Sequence, residues 1–220
     1  MQTGDVTIPV GAVKLAGELT LPNAPVCLVL FAHGSGSSRR SPRNQLVARI
    51  LQREHVATLL FDLLTAEEEQ SEAGTGHLRF NIPFLAERLI GATRWALESA
   101  KTRELAMGYF GSSTGAAAAL MAAAELRETI GAVVSRGGRP DLAGDALEQV
   151  AAPTLLIVGG NDGPVIALNE EAYSRLHGAK DLRIVAGASH LFEEKGTLEL
   201  AAEIAAQWFA RSLCRVAQRA

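Results

Sequence analysis

The stretch LAMGYFGSSTGAAAALM, residues 105–121, sets two adjacent serines in a turn bracketed by Gly111 and Gly115. Residues 111–115, GSSTG, satisfy G-x-S-x-G with Ser113 at its centre. That pattern suits a nucleophile raised on a sharp strand-to-helix turn. The backbone there is strained, and its neighbours must be small for strand and helix to approach. Ser112 falls on the x position and is expected to pack sideways. A serine hydroxyl is a weak nucleophile until a base takes its proton, and that base needs an acid to orient it. Among the histidines, His55 begins a strand pattern, His77 lies in an acidic loop and His177 closes a helix before Gly178. His190, in VAGASHLFEE, stands instead on a small-residue loop between the last strand pattern and the C-terminal helix pattern. Asp162, in LLIVGGNDGPV, follows the preceding strand in a glycine-rich turn. Asp141 is the alternative acid, and Asp62 reads as a structural cap. Ser113, Asp162 and His190 therefore form a candidate Ser-Asp-His set, in the chain order nucleophile, acid, base.

The elements that must position these residues are legible as patterns. Short apolar runs recur at 26–32, 56–62, 104–110, 130–135, 153–159 and 182–187, apolar on both faces, as strands covered on both sides are. Between them lie stretches of helical period, roughly 42–54, 81–101, 114–127, 164–177 and 194–217. Alternation of strand and helix predicts an α/β fold with a mostly parallel sheet and helices on both faces. The first 21 residues alternate loosely about Gly11 and predict an N-terminal antiparallel hairpin at the sheet edge. The irregular insertion is 63–79, LLTAEEEQSEAGTGHLR, which reads as a mobile, solvated loop at the carboxyl edge, where ligands bind. No linker or repeat divides residues 1–220, so one domain is expected, without a large cap.

Composition narrows the classes. The chain has 220 residues, 48% hydrophobic, with a net charge of −3, which suits one sizeable core. It disfavours nucleic acid or a membrane surface as partner, since both reward a concentrated basic face. No apolar run approaches the ~18 residues needed to span a bilayer. The opening MQTGDVTIPV carries no secretion signal. Cys27 and Cys214 read as two free thiols, buried or half-buried, in a reducing cytoplasm. A dinucleotide cradle at GSGSSR, residues 34–39, lacks the third glycine it requires.

The pieces FAHGSGSSRRSPRN, LLFDLLTAEEE, GYFGSSTGAAAAL, VVSRGGRPDLAG, LLIVGGNDGPV and AGASHLFEE together resemble a small α/β-hydrolase of the dienelactone-hydrolase-like group over essentially the whole chain. The resemblance implies a serine hydrolase with Ser113, Asp162 and His190 at the triad positions. Dienelactone hydrolases proper carry a cysteine where this chain has Ser113, so their substrate is not carried across, and hydrolysis of a simple carboxylic ester is expected. Similar domains occur fused to phosphoribosyltransferase domains in bacteria; this chain shows neither that appendage nor the acidic pair and Thr-Gly phosphate loop its activity needs. In this fold the loop after the first central strand and the residue after the nucleophile supply backbone N–H groups to an oxyanion hole. Those positions are Ser35, with Gly36 as alternate, and Thr114.

Arg136 and Arg139, in SRGGRPDL, and Arg79, at the end of the acidic loop, are candidates for binding an anionic group of the substrate, with salt bridges to nearby carboxylates as the alternative. The expected substrate contacts are Gly36, Arg79 and Arg136. A small-molecule ester is the expected partner, with the protein monomeric or homodimeric, and neither metal nor organic cofactor is expected. Thioesterase, amidase and peptidase chemistry would use the same residues, and a binding protein could retain the fold without turnover.

Overall fold

The computed structural model describes residues 1–72 and 74–214. Eight strands form one sheet: β1 (Gln2–Val10), β2 (Val13–Leu21), β3 (Cys27–Ala32), β4 (Ala57–Phe61), β5 (Ala106–Ser112), β6 (Ile130–Arg136), β7 (Thr154–Gly159) and β8 (Lys180–Val185). Their order across the sheet is β1-β2-β4-β3-β5-β6-β7-β8. The hairpin β1–β2 pairs antiparallel to β4, and the remaining pairs are parallel. The carboxyl ends of the six mutually parallel strands, β3 to β8, therefore share one edge.

The helices are α1 (Pro42–Arg53), α2 (Ala66–Ser71), α3 (Ile82–Glu98), α4 (Thr114–Leu126), α5 (Gly163–Arg175) and α6 (Thr197–Phe209). Strand β3 shows why its run is apolar throughout. Leu28, Leu30 and Ala32 enter the core beneath α3 and α4, while Cys27, Val29 and Phe31 enter the core beneath α1 and α6. All six are buried, because a strand with helices on both faces has no solvent side. The connection from β6 to β7 carries only turns of tight helix over Pro140–Gln149, so no cap domain is present among the described residues.

Three expectations are corrected. The insertion at 63–79 is not simply a solvated loop. Its acidic run forms α2, where Thr65 Oγ1 accepts from Glu68 N–H and Glu68 Oε2 accepts from Thr65 N–H, a capping box. Glu72, only 1% exposed, then receives the Leu78 and Arg79 amides and folds the following turns back. The C-terminal helix ends at Phe209 and passes into a π-turn over Ala210–Cys214; its expected continuation to 217 lies outside the described residues. Cys27 and Cys214 are not free thiols but form a disulfide, their Cα atoms 5.5 Å apart. The first residue of β3 and the turn after α6 meet under the same face of the sheet, which a separation of 187 residues conceals. The cysteines thus give no argument for a reducing compartment. Among the described residues no helix is long and apolar enough to cross a membrane.

Candidate active site

Ser113 stands between β5 and α4 at φ +49°, ψ −123°, a left-handed conformation that side chains other than glycine seldom adopt. Its surroundings hold it there. The Ser113 carbonyl accepts from Ala116 N–H and Arg139 N–H, both at 3.1 Å. A Cβ on Gly111 would lie 2.5 Å from Ala116 Cα, and one on Gly115 would lie 2.1 Å from the Ala32 carbonyl oxygen. The bracketing glycines are therefore required by close approach of backbone to backbone. The alanines that follow pack α4 against the sheet with no exposed area from Ala116 to Ala119.

Asp162 and His190 are brought together by the next loops of the same edge. Gly160 N–H donates to Val185 O and Asn161 N–H to Ala188 O, at 2.8 and 2.9 Å, which joins the turn after β7 to the turn after β8. Gly159 allows this contact, since a Cβ there would meet the Ala188 carbonyl at 2.4 Å. Gly137 plays the same part on the other side, where a Cβ would come within 2.8 Å of the His190 carbonyl. Ser189 N–H donates to Glu194 Oε2 at 2.9 Å and closes the loop. The outcome is a 2.6 Å hydrogen bond between His190 Nδ1 and Asp162 Oδ2. An ionised carboxylate only accepts, so Nδ1 carries a proton, and in the neutral ring Nε2 keeps its lone pair. Ser113 and His190 line one cavity of about 210 Å³, without a direct hydrogen bond between them.

The expected oxyanion donors meet each other. Ser35 N–H donates to Thr114 Oγ1 at 3.0 Å, so it is already engaged by a neutral hydroxyl. The Thr114 amide stands at the first position of α4, where a helix offers its N–H no internal acceptor. Gly36, at φ +69°, serves the turn in which Ser37 N–H returns to Gly34 O, and it does not line the cavity that holds Ser113.

The arginines separate. Arg79 Nε pairs with Glu72 and borders a neighbouring groove with Arg40 and Arg43, not the Ser113 cavity. Glu72, whose place in the acidic run gave no hint of burial, is what draws it away. Arg139 forms a two-pronged pair with Asp141 at 2.9 and 2.8 Å, which also removes Asp141 as the orienting acid. Asp62 accepts from the Arg39 backbone and side chain; its role is structural, but it caps no helix among the described residues, since Thr65 is the N-cap of α2. Arg136, the last residue of β6, does line the Ser113 cavity. Ser112 is buried and lines it too.

One residue of the site escaped sequence reasoning. His33 is 5% exposed, with Nδ1–H donating to Gly34 O and Nε2 accepting from Leu63 N–H, both at 3.0 Å. It pins the loop that holds Ser35 to the end of β4, and burial holds its pKa below the ordinary value. The available signal is its place beside Gly34 after the first central strand, a position that marks a loop anchor and not a base.

Residues 25–218 match the family model of the alpha/beta hydrolase domain. A crystal structure of a dienelactone hydrolase from Anabaena variabilis is 58% identical and superposes with a TM-score of 0.95, covering 96% of this chain and 98% of the other. The esterase Est1E from Butyrivibrio proteoclasticus shares the fold at a TM-score of 0.79 and 17% identity, over 95% of this chain and 98% of its own. A Mycobacterium tuberculosis protein named "Putative phosphoribosyl transferase" is 54% identical over 210 residues. That alignment takes in 96% of this chain and 46% of the relative, so the chain spans about half the length of the curated relatives it matches.

Proposed function

The chain belongs to the α/β-hydrolase family, and on that premise we propose that it is a serine hydrolase cleaving small, short-acyl carboxylic esters through an acyl-enzyme on Ser113. The observation that carries this reading is the His190–Asp162 hydrogen bond at the wall of the cavity that Ser113 also lines. In the proposed course His190 Nε2 takes the proton of Ser113 Oγ as that oxygen attacks the acyl carbon. Asp162 holds the ring in the required tautomer and stabilises the imidazolium that forms. The contact between the serine and the histidine commonly tightens when substrate is bound. The developing oxyanion is drawn to the Thr114 amide and to Ser35 N–H. A charged acceptor competes well with the Thr114 hydroxyl for Ser35 N–H, since charge-assisted hydrogen bonds are about twice as strong as neutral ones. His190 then protonates the leaving alcohol, and water repeats the attack on the acyl carbon.

A volume of about 210 Å³ lies below the ~300 Å³ at which ligand pockets commonly begin, which supports short acyl groups. Thioesters and activated amides are open to the same residues. The name phosphoribosyl transferase belongs to proteins of which this chain spans 46%, and we assign hydrolase chemistry to the shared part because that part carries Ser113, Asp162 and His190. Labelling by a fluorophosphonate probe, together with turnover of p-nitrophenyl acetate, tests the reading. Both are expected in the wild type and both are lost in Ser113→Ala, with turnover falling at least about 10³-fold. Labelling that survives the substitution would put the nucleophile elsewhere.

A further inference from the structure

Two arginines of the described residues are buried, and they differ. Arg88, 8% exposed, is paired with Glu68 and lies over the Phe84 ring. The side chain of Arg136, a residue 4% exposed, has no ion pair and no hydrogen bond among the described residues, and its Nε is fully enclosed without a partner. The Phe192 ring covers one face of its guanidinium at 5.5 Å. Burial, with a smaller contribution from the cationic Arg43, pushes its pKa down to about 10, so it stays charged near neutrality. Burying an unpaired guanidinium is costly, and such groups ordinarily have a carboxylate beside them. Among the described residues none is supplied.

The surroundings share that one-sidedness. The charged or ionisable side chains lining the Ser113 cavity are Arg43, Arg136 and His190, and no aspartate or glutamate lines it. Ser41, the N-cap residue of α1, lines it as well, and its hydroxyl makes no capping hydrogen bond. The twelve-residue α1 thus brings an uncapped N-terminus, with its partial positive charge, to the wall from which Arg43 projects. Arg43 is held only by an exposed contact with Glu193 at 3.6 Å, a weak competitor for a better acceptor.

From this juxtaposition we infer that Arg136, Arg43 and the first turn of α1 form an anion subsite beside Ser113, and that the ester cleaved carries a carboxylate or phosphate within a few bonds of its scissile carbonyl. The inference rests on the hydrolase reading for its substrate, but the anion subsite itself does not. Arg136 is the fixed element, enclosed and paired with no carboxylate of the described residues. Arg43 is the outer arm, free to leave Glu193. An oxyacid group accepts from the guanidinium fork in two places, which orients the ester as well as holding it.

Three esters with one leaving group test it: mono-p-nitrophenyl succinate for a carboxylate, p-nitrophenyl 3-phosphonopropanoate for a phosphate-like oxyacid, and p-nitrophenyl butyrate as the neutral comparison. The wild type is expected to prefer one anionic ester over the neutral one in kcat/KM, and the better of the two identifies the oxyacid. Arg136→Met is expected to lower that preference about 10- to 100-fold, the range for losing a hydrogen bond to a charged group. Arg43→Gln, on a more exposed side chain, lowers it about 3- to 10-fold and serves if Arg136→Met fails to fold. Turnover of the butyrate with no anionic preference in the wild type would overturn the subsite and leave the hydrolase reading intact. So would a preference untouched by both substitutions. Thermal unfolding of Ser113→Ala with added succinate or inorganic phosphate, at constant ionic strength, gives the readout free of catalysis. A saturable rise in midpoint that Arg43→Gln weakens supports the subsite even if none of the esters is hydrolysed, in which case it is the hydrolase reading that falls; no rise overturns the subsite.

Discussion

Ser113 occupies backbone that costs a non-glycine residue of order 1–3 kcal/mol, and the carbonyl contacts from Ala116 and Arg139 keep it there. Its type and spacing were readable, as were those of Asp162 and His190, because each had to sit where a strand ends. His33 was not readable in the same way, since its chemistry is to satisfy two backbone groups and not to move a proton. Both ring nitrogens are committed in the neutral form, and a second proton would set N–H against the Leu63 N–H. Burial therefore lowers its pKa below 6.5 in the folded state. As pH falls through 6.5 the unfolded chain takes up a proton that the folded chain refuses. The stability that the neutral ring contributes is complete above that value and declines below it. Urea unfolding between pH 7.5 and 5.5 is expected to show a steeper loss in the wild type than in His33→Gln, whose side chain does not titrate. Equal slopes would mean that the buried ring is not what resists protonation.

At the scale of elements, the continuous apolar runs announced the strands because both faces of each central strand meet a helix layer. What they could not announce was the order across the sheet, since runs of Val, Leu and Ile fit any neighbour equally. The short helix α2 was legible in principle from Thr65 and Glu68, a capping-box pair, but three successive glutamates masked it as solvated loop. The glycine bracket was legible and its purpose is steric. Strand β3 and helix α4 approach until the Ala32 and His33 carbonyls, at 2.1 and 2.5 Å, occupy the space of a Cβ on Gly115. Gly115→Ala therefore has no small adjustment open to it, because the obstacle is backbone on both sides. It is expected to cost about 3 kcal/mol in urea unfolding, at the upper end of overpacking, and to lower Ser113 labelling by moving the start of α4. A variant as stable as the wild type would show that the two elements can part without cost.

Over the whole molecule the least legible feature is the closure of the chain on itself. Nothing in the neighbourhood of Cys27 or of Cys214 points to the other, and only the meeting of β3 with the turn after α6 does so. Cross-linking residues 187 apart restricts the unfolded ensemble over most of the chain. On the chain-entropy account this contributes about 2–5 kcal/mol, or roughly 5–20 °C in midpoint for a domain of this size. The active edge should feel little of it. Cys27 begins β3 whereas the proposed oxyanion loop follows its end, so the length of a six-residue strand, about 17 Å, lies between them. Cys214→Ala, or reduction of the wild type after brief opening by heat, is thus expected to lower the thermal midpoint measured by circular dichroism while leaving fluorophosphonate labelling at 25 °C unchanged. A loss of labelling in step with the midpoint would mean that the disulfide holds the catalytic edge in shape, and that the sheet transmits what happens at one end of β3 to the other.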